Sequence, residues 1–307
     1  MKADGKIRSF VRSRRKLNYP GLVSHIIQHA TGREPLFIEE GDYLYFLWLL
    51  KEIASQFSLR VFAFCLMTNH LHILLRQKEK NLPDAMHDLF MRYSFYFNSK
   101  YFRKGHLFSD SYHQSPCFND YYLWSCSIYI HLNPVRAGIV HDHSQYRWST
   151  WKLYSPGNNP ESFVDWKFIL KMLDNNLQEA KRRYQKMLKA ALLYQGKDVR
   201  EHKEEMGRFS LWIRDRARLI FGEKWKINPT GTTPEGFLSE AELDRLLVRL
   251  EAEDFDSKMK SKEARRFAVE QLQARGYTVK EIAEYLNMSQ RTVYRSLKTK
   301  TTEMAKY

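Results

Sequence analysis

At 307 residues the chain is long enough for two or three domains with real cores, and its formal net charge of +15 with a pI near 9.6 is the electrostatic footprint of a polyphosphate-binding protein. No apolar run approaches the roughly 18 residues needed to cross a bilayer and the opening Met1-Lys2-Ala3-Asp4-Gly5-Lys6 leads only into more charge, so neither a membrane partner nor a secretory route is expected. Cys65, Cys117 and Cys126 stand isolated, which suits a reducing cytoplasm and argues against a structural zinc site.

Residues 1–16 form a basic arm in which Lys2, Lys6, Arg8, Arg12, Arg14, Arg15 and Lys16 face only Asp4. Arg12, Arg14 and Arg15 are its candidate DNA contacts, and a merely solvated terminus is the other reading. A strand is predicted near 22–29, then a helix over about 42–56 on the spacing of Tyr45, Leu49 and Ile53, then a strand over 59–66. The next strand runs to Arg76 and contains His70-Leu71-His72. Alternate residues of a strand share a face, so both imidazoles project into one patch able to hold a metal. The spacing alone is weak, since about 0.4 such pairs arise by chance and His141-Asp142-His143 is a second one, read as a polar loop.

A helix is predicted over about 82–100. Its Tyr93, Phe95, Tyr96, Phe97, Tyr101 and Phe102 are interleaved with Arg92, Lys100, Arg103 and Lys104, a pattern that reads either as base-stacking rings or, from its helical spacing, as core. A strand pair near 105–117 precedes a helix capped by Asn119 or Asp120, with Pro134-Val135-Arg136-Ala137-Gly138 as its stop. Tyr129 and Asn133, four residues apart, share a face of that helix. They offer a nucleophile able to form a covalent intermediate and an amide oxygen able to join two imidazoles around a metal. Core packing by Tyr129 and helix closure by Asn133 is the plainer alternative.

Three segments together, Leu66-Met67-Thr68-Asn69-His70-Leu71-His72-Ile73-Leu74-Leu75, Gly105-His106-Leu107-Phe108 and Tyr129-Ile130-His131-Leu132-Asn133-Pro134-Val135-Arg136-Ala137-Gly138, resemble the single-tyrosine HUH transposases, most closely their REP-associated branch. Tyr19-Pro20-Gly21 and the run to Gly32-Arg33 fit the same pattern, and the resemblance covers about residues 17–152. It implies an α+β, ferredoxin-like or RRM-like antiparallel sheet with helices. It also implies metal binding by His70, His72 and Asn133, and attack by Tyr129 on single-stranded, hairpin-bearing DNA through a 5′-phosphotyrosine intermediate. The implied cofactor is Mg2+ or Mn2+. One departure stands out: Ser109-Asp110-Ser111-Tyr112 replaces the family's Gln-Gly-Arg-Tyr, exchanging a basic contact for an acidic and a small residue.

After Trp151, Tyr154-Ser155-Pro156-Gly157-Asn158-Asn159-Pro160 reads as a linker to an all-α remainder. Helices are predicted over 166–177, 178–194, 208–221 and 239–253, giving a helical region over 161–257. Residues 258–300 have the form of a helix-turn-helix, with caps at Thr278 and Ser289, a turn at Asn287, and Val293 and Leu297 facing inwards. Gln290, Arg291, Tyr294, Arg295 and Lys298 face outwards as candidate contacts to duplex DNA. The expected protein is a metal-dependent DNA strand transferase or endonuclease. A non-catalytic regulator using the helix-turn-helix, a relaxase or replication-initiator-like nickase, and a homodimeric state remain open alternatives.

Overall fold

The computed structural model describes residues 16–157, 160–196, 205–230, 238, 240–251, 258–274 and 277–298. Two compact units are present, one spanning Asn18–Thr232 and the other including Thr233–Tyr307.

In the first unit the elements run β1 (Val23–His29), α1 (Glu40–Gln56), β2 (Leu59–Leu66), β3 (His70–Gln77), α2 (Leu82–Lys100), β4 (His113–Cys117) and α3 (Asp120–Arg136). The four strands form one antiparallel sheet in the order β2-β3-β1-β4. Register sets the site. Ile27 lies opposite His72 and His29 opposite His70, so His25, Ile27, His29, His70 and His72 share one face. The expected strand pair over 105–117 is instead the single strand β4, with Phe108 making only an isolated bridge to Ala30.

Helices α1 and α2 are joined through a buried carboxylate. Asp42, fully buried, accepts from the backbone N–H of Ile38 (2.9 Å) and Glu39 (3.1 Å), from Tyr96 Oη (3.1 Å) and Tyr101 Oη (2.7 Å), and from Lys100 Nζ (2.6 Å). Burial by itself pushes this carboxyl up, but the hydrogen bonds from Lys100, Ile38, Tyr101 and Glu39 outweigh it and hold the group below the ordinary aspartate value. Of the aromatic cluster on α2, Tyr93 and Phe97 belong to the core, whereas Phe95 and, just past the helix, Phe102 are exposed.

Every residue of α3 from Tyr122 to Pro134 is buried. A helix buried on every side sits between layers rather than on a surface. Asn119 Oδ1 caps it by accepting from Tyr122 N at 2.8 Å. Pro134, read from sequence as part of the stop, lies inside the helix. It gives up one backbone bond, and the last turn closes through Ala137 N to Asn133 O (2.9 Å) and Ile139 N to Pro134 O (2.9 Å), with Gly138 at φ +68° just beyond.

The layer over α3 comes from the second half of the chain: α4 (Trp151–Tyr154), α5 (Trp166–Lys171), α6 (Leu177–Ala191) and α7 (Glu205–Phe221). Trp124 meets Trp225 at 5.8 Å, Phe62 stacks on Phe168 at 4.6 Å, and Tyr154 packs on Tyr184 at 4.8 Å. His131 is a satisfied core histidine, with Nδ1 2.7 Å from Tyr184 Oη and Nε2 2.8 Å from Thr150 Oγ1, and burial pulls its pKa down to about 3. The region expected over 161–257 is therefore shared: α5 to α7 pack with the sheet, and the next helix belongs to the second unit.

That unit contains α8 (Glu240–Glu251), α9 (Lys258–Ala274), α10 (Val279–Tyr285) and α11 (Gln290–Lys298) around a core of Leu243, Leu247, Leu250, Val269, Leu272, Ile282 and Val293. Thr278 and Glu281 form a reciprocal capping box on α10, and Asn287 takes the left-handed conformation (φ +50°) between α10 and α11. Ser289 Oγ accepts from Thr292 N at 3.1 Å to start α11. Leu297 packs against this core beside Val293.

Candidate active site

The sheet register and the pitch of α3 bring four sequence-predicted residues together, His70, His72, Tyr129 and Asn133, each no more than 3% exposed. The His70 and His72 rings meet edge to face at 5.1 Å. His72 Nε2 is 2.9 Å from the Asn133 side-chain amide, and the Tyr129 ring lies 5.9 Å from the His72 ring. Two ligands adjacent on an octahedral cation, with bonds of about 2.1 Å, are separated by about 3 Å. The His72–Asn133 spacing fits that requirement once the amide turns its oxygen inwards. Among the described residues no group of three or more His, Cys, Asp or Glu gathers that could hold a metal, and the side chain beside the two imidazoles is the neutral amide of Asn133.

Each imidazole has its Nδ1 engaged elsewhere. His70 Nδ1 lies 2.8 Å from Asn69 Oδ1, and its ring stacks on His29 at 5.2 Å. His72 Nδ1 lies 2.9 Å from Nε2 of His25, whose pKa burial pulls down to about 3, keeping that ring neutral. Sequence reading missed His25. Its spacing from His29 puts those two on one strand face, but only the pairing of β1 with β3 places it beside His72.

Tyr129 is also covered from the α6–α7 side. The Arg136 guanidinium lies over its ring at 5.6 Å and over Tyr194 at 5.8 Å, and Nη2 donates to Gly196 O at 3.3 Å. Phe209 of α7 approaches Tyr129 edge-on at 6.2 Å and Tyr194 at 5.0 Å. Tyr194 Oη donates to Glu205 Oε1 at 2.6 Å, and burial with that acceptor raises the phenol above its usual range. Neither Arg136 nor these aromatics stood out in the sequence, since Arg136 lay in the supposed helix stop and the others about 60 to 80 residues away.

Gln290, Arg291, Tyr294 and Arg295 are exposed along α11, Tyr294 by 55%. Lys298 ends the same helix, its side chain lying outside the described residues, as do Arg12, Arg14 and Arg15. No helix among the described residues is long and apolar enough to cross a membrane. In the loop that departs from the expected pattern, Asp110 presents its backbone oxygen to Gln28 Nε2 at 2.9 Å.

Residues 18–133 match the family described as Transposase IS200 like, and residues 260–301 match the Homeodomain-like domain family. No curated protein matches the chain. A solved structure of a REP-associated tyrosine transposase bound to a REP hairpin aligns with a TM-score of 0.42 and 13% identity, covering 50% of this chain and 95% of the other.

Proposed function

With an IS200-like transposase domain at residues 18–133 and a homeodomain-like helix-turn-helix at 260–301 as premise, we propose that this chain cuts and rejoins single-stranded DNA with Tyr129 as nucleophile and a divalent cation held by His70, His72 and Asn133. The observation that carries the proposal is the convergence of the β3 histidines and the α3 Tyr129–Asn133 pair, with the His72 Nε2–Asn133 contact at 2.9 Å. The phenolic oxygen of Tyr129 gives up its proton and attacks phosphorus, the bond from phosphorus to the 3′ oxygen breaks, that oxygen takes up a proton to leave as a 3′-hydroxyl, and the 5′ phosphate stays on Tyr129. The liberated 3′ end, or another 3′-hydroxyl, attacks that link to restore a phosphodiester. No nucleotide cofactor is needed, because each step exchanges one phosphate ester for another.

His70, His72 and Asn133 would hold a cation that, when bound, would neutralise charge developing on the scissile phosphate. Neutral imidazoles and an amide leave the net positive charge of a divalent ion intact, which suits an anionic substrate; Mg2+ or Mn2+ is proposed from the chemistry and from the family resemblance. Arg136, over the Tyr129 ring, stabilises the phenolate through its positive charge. The proposed substrate is a hairpin-bearing strand, on the resemblance of the motifs to the REP-associated branch.

The test is cleavage of end-labelled oligonucleotides taken from DNA flanking the protein's own gene. Cleavage should require a divalent cation. His70→Ala or His72→Ala should abolish it with single-strand binding largely kept, and Asn133→Ala should be milder because water replaces a neutral ligand. Full cleavage in excess chelator would remove the metal from the mechanism.

The α11 face is proposed to hold duplex DNA. Replacing Arg291 and Arg295 together with Ala should lower the slope of log affinity against log salt by up to about 1.8, at about 0.9 per phosphate contact. Cleavage of a short single strand should not change. An unaltered slope would take α11 off the DNA.

A further inference from the structure

We infer that His25 is a positioning residue that holds His72 in its Nδ1–H tautomer and thereby turns the His72 Nε2 lone pair towards the cation. The inference deepens the metal reading above and rests on it.

The geometry is specific. His25 and His72 lie on neighbouring strands of the same sheet face, their rings stacked at 5.1 Å with an interplanar angle of 29°, and His25 Nε2 sits 2.9 Å from His72 Nδ1. Only one proton occupies that contact. If it belongs to His72, Nε2 of His72 carries a lone pair beside Asn133; if it belongs to His25, Nε2 of neutral His72 carries the proton and cannot ligate. The neighbouring imidazole shows the same arrangement built from other parts, with His70 Nδ1 against Asn69 Oδ1, an atom that only accepts. Both imidazoles thus have Nδ1 held by a partner, which leaves Nε2 for a ligand, the arrangement in which a ligating histidine has its other ring nitrogen hydrogen-bonded.

A second observation separates this role from packing. His25 is fully buried, and its Nδ1 has no hydrogen-bond partner among the described residues. Around it on β1, Val23, Ile26 and Ile27 are buried aliphatic residues, so the strand accepts apolar side chains readily. A buried ring nitrogen left without a partner destabilises the fold relative to an aliphatic residue of similar volume. The imidazole thus leaves one nitrogen unpartnered where it sits, and its one hydrogen bond among the described residues is the one to His72 Nδ1.

The experiment compares the full-length protein with His25→Leu and His25→Gln, reading Mn2+ affinity by electron paramagnetic resonance and thermal stability in the absence of metal. His25→Leu removes the acceptor and should weaken Mn2+ binding about 10- to 100-fold while still melting cooperatively in the absence of metal. His25→Gln can place its amide oxygen near the lost Nε2 and should recover affinity to within about threefold. Independently of any variant, 15N spectra of the wild-type histidines with Mg2+ present should show His72 protonated at Nδ1 with an unprotonated Nε2. Wild-type Mn2+ affinity in His25→Leu, a His25→Gln protein as weak as His25→Leu, or a protonated Nε2 on His72 each overturns the inference. Absence of Mn2+ binding by the wild type, or unchanged binding in His72→Ala, would instead overturn the metal reading itself and His25's role with it.

Discussion

Tyr129→Phe is expected to fold, to bind single-stranded DNA as the wild type does and to form no covalent adduct. The ring stays in place against His72 and Phe209 and under Arg136, so the packing that defines the site survives the loss of one oxygen. What disappears is the attacking atom, and loss of an essential nucleophile lowers turnover on the order of 10⁴-fold or more. Incubation of wild-type protein with a labelled strand and Mn2+ should yield an adduct that survives denaturation and maps to Tyr129. Tyr121 and Tyr122 lie about two turns earlier on α3, roughly 11 to 12 Å along the axis, too far to reach the same phosphate. An adduct at full yield in Tyr129→Phe would move the chemistry to another residue, and cleavage without an adduct in the wild type would make water the nucleophile.

A chain cut after Ser155 is expected not to fold, although it contains the whole segment that matches the transposase family. It loses α5, α6 and α7, and with them Phe168, Tyr184 and Trp225, the ring partners of Phe62, Tyr154 and Trp124. Burial of a large apolar side chain contributes about 1.5–3 kcal/mol, so uncovering three approaches the total stability of a small domain, about 5–15 kcal/mol. The cut also strips His131 Nδ1 of its Tyr184 partner inside the core. The fragment should bind hydrophobic dyes and lack a cooperative thermal transition, whereas a fragment ending at Thr232 should melt cooperatively. Cooperative melting of the shorter piece would show that the covering helices are dispensable.

The strands and the long helices were legible because their signals are local: α2 begins and ends where its apolar spacing and flanking residues place it, and His70 and His72 share a face by alternation alone. The four residues that converge, His70, His72, Tyr129 and Asn133, were picked out through short motifs for the same reason. What the sequence concealed depends on contacts between distant residues. The full burial of α3 arises from helices that begin between 15 and 69 residues after its end, so Tyr129, read from sequence only as sharing a helix face with Asn133, turns out to lie between layers. His25 was passed over because its significance is a register, not a spacing: only the antiparallel pairing of β1 with β3 brings it beside His72. Pro134 misled in the opposite direction, since a proline near a helix end is usually a boundary and here the last turn is closed by bonds around it.

The carboxylate that joins α1 to α2 also sets an acid limit for the protein. An aspartate whose folded pKa lies below its unfolded value of about 3.9 contributes its full stabilisation above that value, and loses it as the pH falls towards the folded one. Throughout the neutral range the Asp42 lock is therefore closed and titrates with nothing. Below about pH 3.9 the protein therefore begins to give up the stabilisation that Asp42 supplies, and the helix pair that leans on it loosens.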